Sequence, residues 1–311
     1  MRNAFADELT QLAQLNPQIV LLSGDIGNRL FDRYKAACPE RFYNCGVAEA
    51  NMTGMAAGLA SMGLRPLTYT ITPFVTTRCL EQIRVDICYH RLPVIVVGVG
   101  SGLAYASLGA THHACEDIAF LRALPYMQVV CPADPLELRL ALRAALAQSD
   151  PVYLRLGKKG EPTLHTEEPV FTIGKSLPLR AGHDLCILAT GPIAASALQI
   201  AETLQNAGIS VQVDSFHTLK PLDQTRLEEV FQRYRLVVTL EEHSLIGGLG
   251  SAVAEWYCDQ GEPLPGRLLR LGTPDQFLHE AGEQAHYHQR WGLTPEALQQ
   301  KILTAWNRLS P

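Results

Sequence analysis

Residues 44–60 read NCGVAEANMTGMAAGLA and place one carboxylate, Glu49, within a run of small and apolar side chains. The glycines of this run let a neighbouring backbone or a flat ligand approach closely. Burying a carboxylate among such neighbours is costly unless a polar group receives it. Two interpretations stay open from the residues alone. Glu49 is either a first-turn carboxylate stabilised by the positive end of a helix that starts near Val47, or a carboxyl group directed at a ring nitrogen of a heterocyclic cofactor.

The segments around this stretch alternate between apolar strand runs and helical periods. Asp134-Pro135-Leu136-Glu137 also has the pattern of an N-cap, a first-turn proline and a capping-box glutamate. The alternation predicts an α/β fold, an open parallel sheet with helices on both faces. The predicted elements of this first domain, residues 1–157, are strands at 19–22, 42–44, 67–71, 94–97, 129–131 and 152–154, and helices at 5–13, 30–37, 47–62, 74–89 and 134–148.

Three candidate functional side chains follow predicted strands. Glu49 follows the strand at 42–44, Phe74 follows the strand at 67–71, and His112 lies in a loop beyond the strand at 94–97. Ligands of open parallel sheets bind outside the carboxyl ends of the strands. We therefore expect Glu49, Phe74 and His112 to converge at one edge of the sheet.

A second α/β domain is predicted for residues 181–311. Residues 158–180 are polar, begin after Gly157 and have the composition of an inter-domain linker. Strands and helices alternate again beyond them, so the chain is predicted to hold two open parallel-sheet domains. The predicted elements are strands at 185–189, 211–213 and 236–240, and helices at 193–206, from Asp223, after Gly250 and from Thr294.

Composition limits the function classes that the chain can serve. Its 311 residues suffice for two domains, and 47% hydrophobic with 18% charged residues is typical of a globular protein. A net charge of −5 without a Lys/Arg cluster argues against nucleic-acid binding. No apolar run is long enough to span a bilayer. The eight cysteines form no Cys-x-x-Cys pair, which predicts reduced thiols and a cytoplasmic location.

The stretch around Glu49 resembles the glutamate segment of the pyrimidine-binding domain of transketolases and other thiamine-diphosphate enzymes. The resemblance implies that Glu49 hydrogen-bonds N1′ of the aminopyrimidine and that Phe74, in Thr72-Pro73-Phe74-Val75, stacks on that ring. It also implies cofactor contacts from Ile71 and from Arg84, which lies in Glu81-Gln82-Ile83-Arg84. On its own, a phenylalanine at a helix start is more often a core residue.

The segment Gly109-Ala110-Thr111-His112-His113 resembles the histidine loop that contacts substrate in the same family. We expect His112 to be the catalytic base, with His113 as the second choice, although a lone loop histidine is often only structural. The resemblance further implies substrate contacts from His112, from Arg155 as a phosphate ligand, and from Arg2 and Arg29, each of which could instead be a surface charge. Leu108 and Gly100 differ from the family pattern, which has residues that contact sugar hydroxyls at these positions. The identity of the donor and acceptor sugars, and whether they are phosphorylated, therefore stays open.

The second half of the chain resembles the C-terminal domain shared by transketolases and 2-oxoacid dehydrogenases. That domain holds no main catalytic residue in the family, so a structural or interfacial role is expected for Glu241, Glu242 and His243, and an exposed polar helix around His286 and His288. The segments that carry the resemblance are ILATG at 187–191, LKPLD at 219–223, EEHS at 241–244, GGLG at 247–250 and LGTPD at 271–275.

Together these resemblances imply one subunit of a split, thiamine-diphosphate-dependent transketolase. The chain lacks the Gly-Asp-Gly segment by which the family binds diphosphate and metal. Mg²⁺ or Ca²⁺ is therefore expected mainly on a separate diphosphate-binding subunit, with no metal ligands here, in an α2β2 assembly built on a self-dimer. The substrates implied are sugars or sugar phosphates. The alternatives are a deoxyxylulose-phosphate-synthase-like enzyme, the beta subunit of a 2-oxoacid dehydrogenase, or a non-catalytic partner subunit.

Overall fold

The computed structural model describes residues 1–27, 29–280 and 282–309. Within them the chain forms two sheets of mostly parallel strands, seven strands in the first and five in the second. The strand orders are 10-5-6-4-3-1-2 and 12-11-8-9-7. In chain order the strands are β1 Ile19–Ser23, β2 Phe42–Asn44, β3 Arg65–Ile71, β4 Ile95–Val99, β5 Gln128–Val130, β6 Val152–Leu156, β7 Leu177–Arg180, β8 Leu185–Thr190, β9 Val211–Ser215, β10 Thr218–Lys220, β11 Leu236–Ser244 and β12 Arg267–Thr273.

Helices connect and cover these strands. In chain order they are α1 Arg2–Leu15, α2 Asp32–Ala37, α3 Glu49–Ser61, α4 Thr72–Val75, α5 Leu80–Gln82, α6 Asp117–Arg122, α7 Pro135–Leu146, α8 Ala194–Asn206, α9 Gln224–Arg233, α10 Leu249–Cys258, α11 Gln284–Trp291 and α12 Pro295–Asn307.

Both faces of the first sheet are buried. Along β1, Val20 and Leu22 belong to one apolar cluster, while Ile19 and Leu21 belong to the cluster on the opposite face. Side chains alternate between the faces of a strand, so a continuous apolar run is what a sheet covered on both sides requires. This confirms the predicted α/β class.

The carboxyl ends of four neighbouring strands meet at one edge of this sheet. β1 pairs in parallel with β2 and with β3, and β3 pairs in parallel with β4, with Ile71 opposite Val99. The segments that follow these strands carry Gly24, Glu49, Phe74 and the loop from Gly100 onward. The fold thereby gathers Glu49, Phe74 and the histidine loop at a single edge.

Two edge strands depart from the purely parallel prediction. β7 pairs antiparallel with β9, and β10 pairs antiparallel with β5 of the first sheet. β7 lies inside the predicted linker at 158–180, so the ordered second domain begins earlier than its composition indicates. β10 follows β9 in sequence yet extends the other sheet, which ties the two domains together. The predicted boundaries 1–157 and 181–311 otherwise stay a prediction.

The helix predicted at 74–89 is broken into short pieces. α4 is followed by a 3-10 turn at Thr77–Cys79, by α5, and by a π turn at Ile83–Cys88. Two helix starts that were predicted from cap residues are observed. Asp134 accepts from the backbone N–H of Glu137, and Thr294 accepts from that of Ala297. Among the described residues, no helix is long and apolar enough to cross a membrane.

Candidate active site

Glu49 is the first residue of α3 and is only 5% exposed. Gly24, at the end of β1, lies beneath it. A Cβ on Gly24 would sit 3.8 Å from Glu49 Oε1 and 3.0 Å from Thr70 Oγ1, so glycine allows these groups to come together. The carboxylate is thus both a first-turn group at a helix N-terminus and a buried group at the sheet edge, and the two interpretations from the sequence are compatible.

Arg78 joins Glu49 to Phe74. Its Nη1 donates to Glu49 Oε2 at 2.8 Å, and its guanidinium carbon lies 4.2 Å from the centre of the Phe74 ring. Sequence reasoning missed this arginine, although Arg78 lies four residues after Phe74 and therefore one helical turn further along a predicted helix. The carboxylate, the aromatic face and a planar cation form one continuous surface.

His112 lies on the other side of Phe74. The two ring centres are 5.1 Å apart in an edge-to-face arrangement, and the ring of Tyr105 is 6.4 Å from that of His112. Thr111 Oγ1 is 2.9 Å from His112 Nδ1, so Nε2 is the nitrogen left for another partner. The expected convergence of Glu49, Phe74 and His112 is therefore observed.

The local environment favours a neutral His112. Burial lowers the pKa of this imidazole below its usual value, and the positive charges of His113 and Arg78 lower it further. A neutral imidazole can accept a proton near pH 7. His113 is directed elsewhere, because its Nε2 lies 3.3 Å from the carbonyl oxygen of Ala106 within the same loop. The geometry thus favours His112 over His113 as a base.

Arg155 is held by protein groups, although it lines the cavity that opens between the two domains. Its side chain is 1% exposed, and its Nε donates to Asp117 Oδ2 at 2.7 Å. Its Nη2 donates to Asp117 and to the carbonyls of Ala114 and Glu242. Although burial raises the pKa of an acid, the charge of Arg155 holds the pKa of Asp117 below its usual range. Nε and Nη2 already serve protein groups, and the contact of Arg155 with a substrate phosphate stays a prediction.

The other predicted contacts divide between the site and the surface. Ile71 is 8% exposed at the end of β3, directly before the segment of Phe74. Arg2, at the start of α1, has a buried Nε with no hydrogen-bond partner among the described residues. Arg29 is exposed in the turn before α2. Arg84 is also exposed, lies 3.9 Å from Glu81 and borders a separate groove with Tyr89. The structure therefore does not bring Arg84 to the surface formed by Glu49 and Phe74, and a cofactor contact from it stays a prediction.

A cavity of about 450 Å³ opens between the two domains beside this site. Lys158 and Lys159 line it with Ser101 at the base of the histidine loop. Lys158 Nζ lies 4.6 Å from the centre of the Tyr105 ring, whose other neighbour is His112. From the sequence, both lysines were placed in a linker and so were missed as site residues. Their position within three residues of a buried strand was the one feature of the sequence that could have indicated a place in the site.

The residues present fit the aminopyrimidine of thiamine diphosphate. Glu49 offers a buried carboxylate to a ring nitrogen, and Phe74 offers a half-buried aromatic face. Within the described part of the chain, Thr70 Oγ1 is buried beside Gly24 without a hydrogen-bond partner, so a polar group is free to bind there. In residues 1–27, 29–280 and 282–309, no cluster of three His, Cys, Asp or Glu side chains could hold a metal ion.

Two family profiles match the sequence across most of its length. Residues 1–161 match "Transketolase, pyrimidine binding domain", and residues 174–298 match "Transketolase, C-terminal domain". The first match contains Glu49, Phe74 and His112, and the second contains β7 to α11.

Similar proteins agree with these profiles. The 6-deoxy-6-sulfo-D-fructose transketolase subunit SqwH of Clostridium sp. (strain MSTE9) is 38% identical, over 96% of this chain and 92% of its own length. An apulose-4-phosphate transketolase subunit of Phocaeicola vulgatus is 33% identical, over 96% and 94%. A solved structure described as "Split gene transketolase, inactive beta4 tetramer" is 37% identical, over 98% of this chain and 97% of its own, with a TM-score of 0.88. The chain belongs to the transketolase family of thiamine-diphosphate-dependent enzymes.

Proposed function

We propose that this chain is the pyrimidine-binding subunit of a split thiamine-diphosphate-dependent transketolase, which transfers a two-carbon ketol unit from a ketose donor to an aldehyde acceptor. The observation that carries the proposal is the continuous surface from Glu49 through Arg78 and Phe74 to His112. It combines a buried carboxylate, an aromatic face and a neutral base at one sheet edge. A non-catalytic partner subunit would have no need of that combination.

Each of these side chains has a distinct task. The carbon nucleophile and electron sink of the reaction come from the bound thiamine diphosphate. Glu49 holds a proton between its carboxyl group and N1′ of the pyrimidine. Phe74 packs on the ring and keeps water from it. His112 Nε2 accepts the proton of a substrate hydroxyl as the carbon–carbon bond breaks and returns it when the new bond forms. A positioned acid–base group contributes about 10²–10⁴-fold in rate.

The diphosphate and its Mg²⁺ or Ca²⁺ are proposed to bind mainly to a separate subunit. The chain has no Gly-Asp-Gly segment, and the Glu49 surface lies at an exposed edge that includes Val47, which is 78% exposed. We propose an α2β2 assembly in which each active site lies between this chain and its partner. The eight cysteines are all free thiols, which supports a cytoplasmic location.

The substrates are proposed to carry a terminal anion. Lys158 and Lys159 face the cavity beside Tyr105. Phosphate and sulfonate are both anions that such side chains can bind. The names of two relatives, a sulfo-sugar transketolase subunit and a sugar-phosphate transketolase subunit, are consistent with either. The departures at Leu108 and Gly100 keep the donor open.

The test is to purify the chain alone and together with the diphosphate-binding transketolase subunit of the same source. Each preparation receives thiamine diphosphate and Mg²⁺, a ketose donor bearing a terminal phosphate or sulfonate, and an aldehyde acceptor. We expect ketol transfer only from the complex. Full turnover by the chain alone would refute the split enzyme. A complex that uses pyruvate as its donor and no ketose would instead support a deoxyxylulose-phosphate-synthase-like reaction.

A further inference from the structure

The histidine loop, residues 102–114, is closed at its neck. Gly102 and Ala114 exchange two backbone hydrogen bonds of 3.0 and 2.8 Å. Inside the loop, His113 contacts the carbonyl of Ala106, and His112 contacts Thr111. Because the loop is closed upon itself, the placement of its two histidines depends on how its neck is held.

A residue of the second domain holds this neck from both sides. The carboxylate of Glu242, on β11, accepts from the backbone N–H of Leu103 at 2.5 Å. Its backbone carbonyl accepts from Arg155 Nη2 at 3.1 Å, and the same nitrogen donates to the carbonyl of Ala114 at 2.7 Å. Gly102 allows the close approach, since a Cβ there would lie 2.4 Å from Glu242 Oε1.

Helix α11 fixes the Glu242 carboxylate in turn. Gln284 Nε2 lies 3.0 Å from each carboxylate oxygen, and His288 Nε2 donates to Oε2 at 2.8 Å. Burial alone would lower the pKa of His288. The hydrogen bond to Glu242 and the negative charge of Glu242 outweigh that effect, so the pKa of His288 is raised. On the same helix, Tyr287 is fully buried and its ring lies 6.1 Å from that of His113. The helix around His286 and His288 was expected to be an exposed polar one, yet α11 packs against the loop.

We propose that Glu242 is a positioning residue for ketol transfer, which holds the neck of the histidine loop so that His112 lies correctly against Phe74. The proposal rests on the proposed function and gives the second domain a direct part in it. Glu242 also lines the cavity between the domains, but its hydrogen bonds join it to the neck of the loop and to α11. Displacing a catalytic group by about 1 Å can cost on the order of 10²-fold in rate. Glu241, the neighbouring acid, instead accepts from the N–H groups of Leu249 and Gly250 and caps α10.

The test compares Glu242→Gln and Glu242→Ala with Glu202→Gln, an exposed glutamate on α8 that does not line this cavity. Glutamine keeps an acceptor for Leu103 but loses one for Gln284 and His288, whereas alanine loses all of them. Hydrogen exchange of the full-length chain reports the loop directly, without turnover. In the complex, kcat, KM and thiamine diphosphate affinity are measured for each variant.

We expect faster exchange confined to residues 102–114, and kcat lowered by about tenfold for glutamine and about 10²-fold for alanine. Cofactor affinity should stay within twofold, and Glu202→Gln should behave as wild type. If Glu242→Ala fails to fold, His288→Gln should reproduce the effect of Glu242→Gln. Unchanged loop exchange and kcat, or a loss of protection throughout the chain, would overturn the proposal. A wild-type complex without ketol transfer would refute the proposed function itself, which separates the two failures.

Discussion

Arg78 pairs with Glu49 at 2.8 Å, and its guanidinium carbon lies over the Phe74 ring, 4.2 Å from the ring centre. A planar cation that donates to Glu49 and covers Phe74 makes the same two contacts that an aminopyrimidine would need. In the proposed complex, the pair would therefore compete with the cofactor. Because Arg78 is 43% exposed, solvent screens the pair, and its contribution is modest.

We predict that Arg78→Ala strengthens the binding of thiamine diphosphate to the complex by a few-fold to about tenfold. The reason is that an exposed ion pair and a cation–π contact together stabilise the competing arrangement by about 1 kcal/mol. Titration calorimetry of the complex measures the change. Arg84→Ala, an exposed arginine beside another groove, is the matched control and should leave the affinity unchanged. Weaker binding by Arg78→Ala would show that Arg78 supports the cofactor.

Phe74→Ala is predicted to weaken cofactor binding by up to about tenfold, because stacked aromatic pairs contribute about 0.5–1.5 kcal/mol beyond area burial. Phe74→Leu keeps most of the apolar volume without the π face and serves as the control. If leucine binds the cofactor as tightly as phenylalanine, Phe74 acts through its bulk alone. Equal affinity of all three proteins would make Phe74 a core residue only.

The pH profile of kcat should report His112. Its pKa lies below the usual value, so the neutral base persists until the pH falls through that lowered pKa. Activity should therefore be lost on acidification only below about pH 6.5. His112→Ala should remove this acidic limb and lower kcat by about 10²-fold or more, with little effect on cofactor affinity. Arg78→Ala removes a positive charge and should move the limb towards higher pH. An unchanged limb in His112→Ala would assign it to another group.

His217 makes folding stability depend on pH. This histidine is fully buried, stacks on Phe171 at 4.0 Å, and its Nε2 has no hydrogen-bond partner among the described residues. Burial lowers its pKa to about 4, and Glu137 offsets this only in part. The unfolded chain binds the proton first, so stability is full above about pH 6.5 and falls as the pH drops towards 4.

The free energy of unfolding should therefore decrease by about 1 kcal/mol between pH 7.5 and 5.5 through this group alone. Denaturant unfolding at several pH values measures it. His217→Gln cannot titrate, so the stability difference between wild type and His217→Gln should shrink on acidification. His183→Gln, at an exposed position, is the control and should follow wild type. Parallel curves for all three proteins would contradict the lowered pKa of His217.

The fold could be predicted from the sequence where the hydrophobic runs are long. β1, β4 and β8 are continuous apolar segments bounded by glycine, proline or polar residues, and their positions were predicted within two residues. The edge strands β7 and β10 are short, and their partners lie far away in the sequence. Pairing of that kind depends on tertiary contacts that no local pattern encodes.

Site residues could be predicted from the sequence where they lie in a motif that resembles one of the family. Glu49, Phe74 and His112 were placed by resemblance and converge as expected, while Arg155 shows the limit of such reasoning. Arginine after an apolar strand suggests a pocket, and Arg155 does line one, but its ion pair with Asp117, 38 residues away in sequence, is a tertiary contact that no local pattern predicts. The same limit applies to Glu242, whose partner Leu103 lies 139 residues earlier.

Glu49→Gln in the reconstituted complex tests the central claim most directly. Glutamine has nearly the same shape but cannot hold the proton that N1′ of the pyrimidine requires, so turnover should fall by at least about 10²-fold. The melting temperature should change little, because an amide oxygen can still accept from Arg78. The measurement is ketol transfer by wild type and Glu49→Gln at saturating thiamine diphosphate, beside their melting curves. Near-complete loss of transfer in a folded variant is the predicted result, and activity within a few-fold of wild type would contradict the account.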